Sequence, residues 1–241
     1  MTNGVTAFAG EIIGAIVDFF LPPSCVICGE RPESSLQICR GCIDDLRLTS
    51  GEYPSPVRTI PGADGLTVLL PYDSPTRQVV HGLKYHGMAD VGPFLGDMLA
   101  RKALCESSFP TGPILVPVPL HPAKRRERGY NQAERIAAGF SQFSGFPVDE
   151  SLLTRTRATG TQTALSEDER RLNVKGAFTY AGNRQLRGTA VIVIDDVLTT
   201  GSTISECIAV LRGAGAGTVH VAVAASPTAA EEKGSGDEPD P

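Results

Sequence analysis

The chain has 241 residues, room for one substantial core and a small appended module. Its 41% hydrophobic and 20% charged content excludes a low-complexity or fibrous protein. The net charge of −5 is concentrated at the end: residues 226–241 carry five carboxylates against Lys233, so the rest is close to neutral and its charge alone does not announce nucleic-acid binding.

Residues 7–21 (AFAGEIIGAIVDFFL) have the period of an amphipathic helix, with Phe8, Ile12, Ile16 and Phe19 on one stripe and Pro22 and Pro23 as its stop. Its polar face lacks Lys and Arg, which favours packing on the protein over lying on a membrane surface. No basic residue precedes Arg31, and Glu11 and Asp18 interrupt the apolar run, so no signal peptide is expected. Nothing approaches the roughly 18–20 apolar residues of a membrane span. The expectation is a cytoplasmic, reducing location.

Cys25-x2-Cys28 and Cys39-x2-Cys42 then present four thiols in two knuckles. In a reducing compartment this spacing reads as a tetrahedral zinc site, in preference to an iron–sulfur cluster or a redox pair. With four protein thiolates the metal has no open position, so its role is structural. Cys105 and Cys207 fall in helical contexts and are expected as buried small residues.

Residues 49–65, rich in Pro, Gly and Ser, read as a linker. Thr67 to Tyr72 reads as a strand and Thr76 to Lys84 as a helix before a turn at Gly87. Lys84 is either a solvated helix-end lysine or one that faces a ligand. Residues 91–105 form a further helix, with Phe94, Leu95, Met98 and Leu99 apolar. Ile114 to Val118 is a second apolar strand whose pairing Pro117 and Pro119 limit. Lys124, Arg125, Arg126 and Arg128 crowd a loop at its carboxyl end, facing a pyrophosphate or forming a solvated cluster. From Asn131 a helix turns Ala133, Ile136, Ala137 and Phe140 inward. Residues 151–178 read as a long polar loop carrying Arg155, Arg157, Arg170, Arg171 and Lys175, with a capping box at Ser166-x-x-Glu169.

Val191 to Ile194 is an apolar β-branched strand, and Asp195 and Asp196 follow it at once. Two adjacent carboxylates are costly in a core, so they belong at the strand's mouth. VLTTGST comes next, then a helix with Ile204, Ile208 and Leu211 on one face. Strand, loop and helix N-terminus together form an anion site. Gly201 permits close approach; Thr199, Thr200, Ser202 and Thr203 add hydroxyls; the carboxylates can accept from a ribose. The plainer alternative is a polar turn with a Ser or Thr helix cap. No Lys follows the Gly, so this is not a Walker loop. Thr218 to Ala224 closes the domain as a strand, and the tail after Ser226 is expected to lack fixed structure. Strands alternating with helices indicate an α/β fold with a doubly wound parallel sheet, which binds ligands outside the carboxyl ends of its strands.

Residues 189–206 (TAVIVIDDVLTTGSTISE) resemble the phosphoribosyl-pyrophosphate (PRPP) signature of type I phosphoribosyltransferases. With the four-cysteine knuckle, KYHG at 84–87, VPVPLHPAKRRERGYNQAE at 116–134 and RTRATGTQTALSEDERRLNVKGAF at 155–178, the chain resembles the bacterial ComF family over roughly residues 18–225. That resemblance implies a phosphoribosyltransferase-type sheet domain at 66–225, a helix and zinc-ribbon-like module at 1–48, and an acidic tail at 226–241. It implies that Asp195 and Asp196 hold ribose hydroxyls and that residues 199–203 hold the 5′-phosphate of PRPP with Mg²⁺. Lys84, Arg125, Arg126, Arg128, Arg155, Gln162, Arg170 and Arg171 are the candidates for pyrophosphate. The 155–178 stretch also resembles the mobile loop of amidophosphoribosyltransferases, but no glutaminase domain with an N-terminal Cys is expected here. The implied function is PRPP binding with transfer to an unidentified acceptor. The alternatives are a non-catalytic protein that holds single-stranded DNA or a DNA-uptake partner, and a PRPP-sensing regulator. No general base or protein nucleophile stands out.

Overall fold

A computed structural model describes residues 24–53, 59–106, 109–157, 174–183 and 185–228. The helix expected over 7–21, the capping box at Ser166, Gln162, Arg170, Arg171 and the tail beyond residue 228 lie outside the described residues.

Four parallel strands form the main sheet: β1 (Gly65–Pro71), β2 (Ile114–Pro117), β5 (Val191–Val197) and β6 (Val219–Ser226), in the order β1-β6-β5-β2. Val148 adds a single parallel bridge to Leu115 on the outer side of β2. The strands are mostly apolar rather than alternating, because both faces are covered. Ile192 and Ile194 point to one side, into a core with helices α2 (Ser74–Tyr85), α3 (Val91–Leu104) and α5 (Gln132–Ser144). Val191 and Val193 point to the other, against helix α6 (Ser202–Gly213) and a short antiparallel hairpin of β3 (Leu153–Arg155) and β4 (Phe178–Tyr180).

Helices α3 and α5 meet backbone to backbone. A Cβ at Gly96 would strike the Ile136 carbonyl, and one at Gly139 would strike Pro93. The four-cysteine module does not stand apart. Cys25, Ile38, Cys39 and Leu46 share one apolar cluster with α2, α3 and the sheet. Its helix α1 (Arg40–Glu52) runs on into the stretch expected to be linker. Lys102 on α3 holds that end, donating to the carbonyls of Ser50 (3.1 Å), Tyr53 and Leu69 (3.3 Å).

Three further expectations are corrected. The basic stretch after β2 is a helix, α4 (Pro122–Arg128), not a loop. His121 accepts from Ala123 N at 3.2 Å, Pro122 fits the first turn, and Gly129 closes the helix at φ 80°. Strand β5 continues through both aspartates, since Asp195 and Val197 still pair with Val223 and Ala225 of β6. Cys207 is buried, but Cys105 is exposed beyond the end of α3.

From β2 the chain steps outward to Val148, then returns to β5 on the other side of β2. The carboxyl ends of β2 and β5 therefore mark the point where strand order reverses, the place where open α/β sheets bind ligands.

Candidate functional site

Side chains alternate along a strand, so the two aspartates part company. Asp195 continues the Val191–Val193 side, toward α6 and the hairpin. Asp196 continues the Ile192–Ile194 side, toward α2. Each backbone amide after a carboxylate returns to it: Asp196 N donates to Asp195 Oδ1 at 2.9 Å, and Val197 N to Asp196 Oδ1 at 2.7 Å.

On the α2 side, Lys84 Nζ lies 3.0 Å from Asp196 Oδ2. The last turn of α2 is pinned there, because Tyr130 Oη donates to the Leu83 carbonyl at 2.6 Å. Burial works against the Lys84 ammonium, yet Asp196 and, farther off, Asp195 hold its pKa above the usual value. On the α6 side, burial and then Asp196 push the Asp195 carboxyl up to about 7, with Lys84 and Arg155 acting in the opposite sense. Burial lowers the Arg155 pKa while Asp195 supports its charge, and its guanidinium lies 5.3 Å from the centre of the Phe178 ring.

Beyond Val197 the chain turns into α6. Gly201 takes φ 77° as the residue before the first turn and has no side chain to cap the helix; only a long contact, Ser202 N to Thr200 Oγ1 at 3.4 Å, reaches its first amide. Thr200 Oγ1 and Ser202 Oγ sit 2.9 Å apart. Asp195, Val174 and residues 197–204 enclose a hollow of about 40 Å³. That exceeds the roughly 10–15 Å³ one water needs. The amides and dipole of a helix start at such a hollow favour an anion.

A third cation, Lys124, comes from α4. Burial depresses the Lys124 pKa, and so do the neighbouring charges of Arg128, Arg155 and Lys84. Lys124 thus shares its charge environment with Arg128, Arg155 and Lys84, and of these four cations Lys84 and Arg155 act on the paired aspartates. Such a group holds an anion that carries several charges.

At the far end of α2, the sulfurs of Cys25, Cys28, Cys39 and Cys42 all lie within 4.8 Å of one another, with Cys28 and Cys39 at 3.5 Å. A tetrahedron with Zn–S near 2.3 Å needs sulfurs about 3.8 Å apart, so this donor set fits zinc. Burial opposes ionisation of Cys25, but backbone amides of Cys28, Cys39 and Ile27 outweigh it and bring its pKa down to about 6. No helix among the described residues is long and apolar enough to cross a membrane.

Family models agree with both halves. Residues 128–240 match the Phosphoribosyl transferase domain and residues 16–53 the Double zinc ribbon domain. The DNA utilization protein YhgH of Escherichia coli O157:H7 is 30% identical over 203 residues, 82% of this chain and 87% of that protein. The chain belongs to the ComF family. Its YhgH relative from Salmonella typhi is 29% identical over 204 residues, with the same coverage. Competence protein F of Haemophilus influenzae is 27% identical over 203 residues, 83% of this chain and 82% of that protein. This ComF chain therefore carries a doubly wound sheet of the phosphoribosyltransferase kind behind a four-cysteine zinc ribbon.

Of the residues singled out in the ComF sequence, the fold gathers Asp195, Asp196, Lys84, Arg155 and residues 199–203 around one crevice, while Arg128 lies against Tyr85 and Gln132. Arg125 and Arg126 are placed elsewhere: Arg125 pairs with Glu134 at 2.6 Å, and both line a separate cavity. Lys124, from the same basic run, is half-buried and feels the charges of Arg128, Arg155 and Lys84. The signal for it lay in the spacing, because Lys124 and Arg128 are four residues apart and share a helix face.

Proposed function

We propose that this crevice binds PRPP together with Mg²⁺ and transfers its phosphoribosyl group. The observation that carries the reading is the pair Asp195–Asp196 at the carboxyl end of β5, set between a hollow at a helix start and the cations Lys84 and Arg155. The 5′-phosphate takes the hollow, where the amides of residues 200–203 and the hydroxyls of Thr200 and Ser202 donate to it. The ribose hydroxyls donate to Asp195 and Asp196. Pyrophosphate lies toward Lys84, Lys124, Arg128 and Arg155. The paired carboxylates are the hard oxygen donors that Mg²⁺ takes, and the bound ion supplies further charge neutralisation for the leaving group.

In transfer, a lone pair on the acceptor forms the new bond to C1 as the C1–O bond breaks. Pyrophosphate leaves with that electron pair, and the acceptor's proton goes to water. The chain's own part is to fix C1 between the phosphate hollow and the cations, which are in place before charge builds on the leaving oxygen.

A second reading has its own observation. Tyr85 is 58% exposed, with the Arg128 guanidinium 4.9 Å from its ring centre and His81 at 4.7 Å. An exposed ring beside cations also suits the bases and backbone of single-stranded DNA, and the relatives' names speak of DNA utilization and competence. Two assays separate the readings. Mg²⁺-dependent release of pyrophosphate from PRPP supports transfer. Single-strand binding whose log affinity falls with log salt, at about −0.7 per phosphate contacted, with no pyrophosphate released, supports the second.

A further inference from the structure

The last carbonyls of a helix have no further turn to bond to and need partners from elsewhere. At the end of α2 the Gly82 carbonyl accepts from the His86 amide at 3.1 Å. The Leu83 carbonyl is taken by two side chains from the start of α5. Tyr130 Oη donates to it at 2.6 Å and Gln132 Nε2 at 3.4 Å. Gln132 Oε1 in turn accepts from Arg128 Nη1 at 3.1 Å. The residue that follows Leu83 is Lys84.

Asn131, between those two, reaches the other way. Its Oδ1 accepts from Ala133 N at 3.1 Å and caps α5, while its Nδ2 donates to the Val118 carbonyl at 3.0 Å. Val118 N donates to the Ile194 carbonyl at 2.9 Å, and Asp195 and Asp196 follow Ile194. Asn131 and Gln132 are each only 3% exposed. Buried amides are costly unless bonded, and these two spend their donors on the element ends that carry the site. Three consecutive side chains thus tie the end of α2 to the end of β2, and through β2 to β5. The Lys84–Asp196 contact at 3.0 Å closes the ring.

We infer that Tyr130, Asn131 and Gln132 are positioning residues that keep Lys84 directed at the pyrophosphate once the ribose engages Asp196. The inference rests on the phosphoribosyl reading above. In the structure Asp196 itself holds the Lys84 ammonium. When Asp196 accepts from ribose hydroxyls, that hold weakens. A lysine is a flexible stem with a strongly hydrated charge, and on a frayed helix end it would turn to solvent. Fixing the Leu83 carbonyl fixes the backbone from which Lys84 springs, so the ordering is done before the ligand arrives. Asn131 does the same for the strand end on which the aspartates depend.

The test uses the full chain as wild type, Tyr130→Phe and Tyr130→Phe/Gln132→Met, each checked for native fold by circular dichroism. Phenylalanine keeps the ring and methionine the length, so the Leu83 carbonyl loses first one donor and then both. Hydrogen–deuterium exchange reads the amides of residues 84–87. Calorimetry reads PRPP with Mg²⁺, and saturation-transfer NMR reads ribose 5-phosphate, which lacks the pyrophosphate that Lys84 faces. In the double variant, exchange at 84–87 is expected to quicken about tenfold and PRPP to weaken about tenfold, while ribose 5-phosphate stays within about twofold of wild type. Tyr130→Phe alone is expected to fall between. Unchanged exchange in both variants overturns the inference, as does equal weakening of PRPP and ribose 5-phosphate. Ribose 5-phosphate that fails to bind wild type also overturns it, since the hollow and the aspartates then do not act apart from Lys84. If wild type binds ribose 5-phosphate but not PRPP, the phosphoribosyl reading falls and the positioning role with it. PRPP binding that neither variant alters refutes the positioning role alone.

Discussion

Lys84 Nζ stands 3.0 Å from Asp196 Oδ2, joining the last turn of α2 to the carboxyl end of β5. The two side chains are 23% and 13% exposed, so water screens the pair only in part. Without the ammonium, two adjacent carboxylates remain at one strand end. Replacing Lys84 with Met is expected to cost about 1.5–3 kcal/mol in urea denaturation, the range for a hydrogen bond to a charged group. Adding Asp196→Asn is expected to recover part of that loss, because the single changes are coupled. Strictly additive losses in the double variant would show the pair to be incidental.

The Asp195 carboxyl yields a pH dependence of definite sign. Its pKa is raised from 3.8 to about 7, chiefly by burial. Between those values the folded chain holds more protons than the unfolded one, so unfolding free energy falls as pH rises through the window. The stabilisation is complete below about pH 4 and lost by about pH 7, at about 1.4 kcal/mol for each tenfold change in proton affinity. Denaturation curves of Asp195→Asn are expected to lack this fall. A variant whose stability tracks wild type across the window contradicts the assignment.

Zinc should support the whole fold rather than its own module. Cys25 and Cys39 belong to the apolar cluster that includes α3 and the sheet, and Lys102 ties the end of α1 to β1. Elemental analysis is expected to find about one zinc per chain. Chelation, or Cys39→Ser, is expected to lower the melting temperature of the entire chain, since metal binding supplies folding energy. A module that melts alone, with the sheet transition unmoved, would contradict the shared core.

The crossing of α3 and α5 allows no side chain at two places. Gly96→Ala drives a Cβ into the Ile136 carbonyl, and Gly139→Ala drives one into Pro93. Backbone cannot yield as a flexible side chain does, so each change is expected to cost about 1–3 kcal/mol or more. Gly41→Ala, where a Cβ meets nothing within 4 Å, serves as the control in the same urea series.

What the sequence disclosed follows the range of each signal. The order of strand, acidic pair, turn and helix over residues 189–206 is local, and so it was legible. The cysteine spacing was legible for the same reason. The β3–β4 hairpin was not, because strands of three residues are too short for a period to show, and Arg155 pairs with Phe178 across 23 positions. Helix α4 was hidden by its charge: no apolar face marks it, and only the His121 cap, Pro122 and Gly129 give it away. That one error made Lys124, Arg125, Arg126 and Arg128 look equivalent. The helix sets Lys124 near Arg155 and Lys84, lays Arg128 against Tyr85, and lines the neighbouring cavity with Arg125 and Arg126. The separation of Asp195 and Asp196 onto opposite faces became visible only once β5 was seen to extend through both.

The loop hydroxyls should matter less than the carboxylates. Thr200→Val removes one donor from the hollow beside Ser202 and is expected to weaken PRPP by about 1–3 kcal/mol, roughly the value of a hydrogen bond to a charged group, with stability little changed. Titration calorimetry and a melting curve on the same preparation check both halves of that statement.

The central claim is that the paired carboxylates at the end of β5 hold the ribose of PRPP. Its most direct test is calorimetric titration of PRPP with Mg²⁺ into wild type and into Asp195→Asn/Asp196→Asn, with the fold of each verified. The account predicts saturable binding of about one PRPP per wild-type chain and none in the double variant, since Asn keeps the size of Asp and removes the charge that the ribose hydroxyls and Mg²⁺ require. PRPP binding of equal affinity in both proteins, or none in wild type, would contradict it.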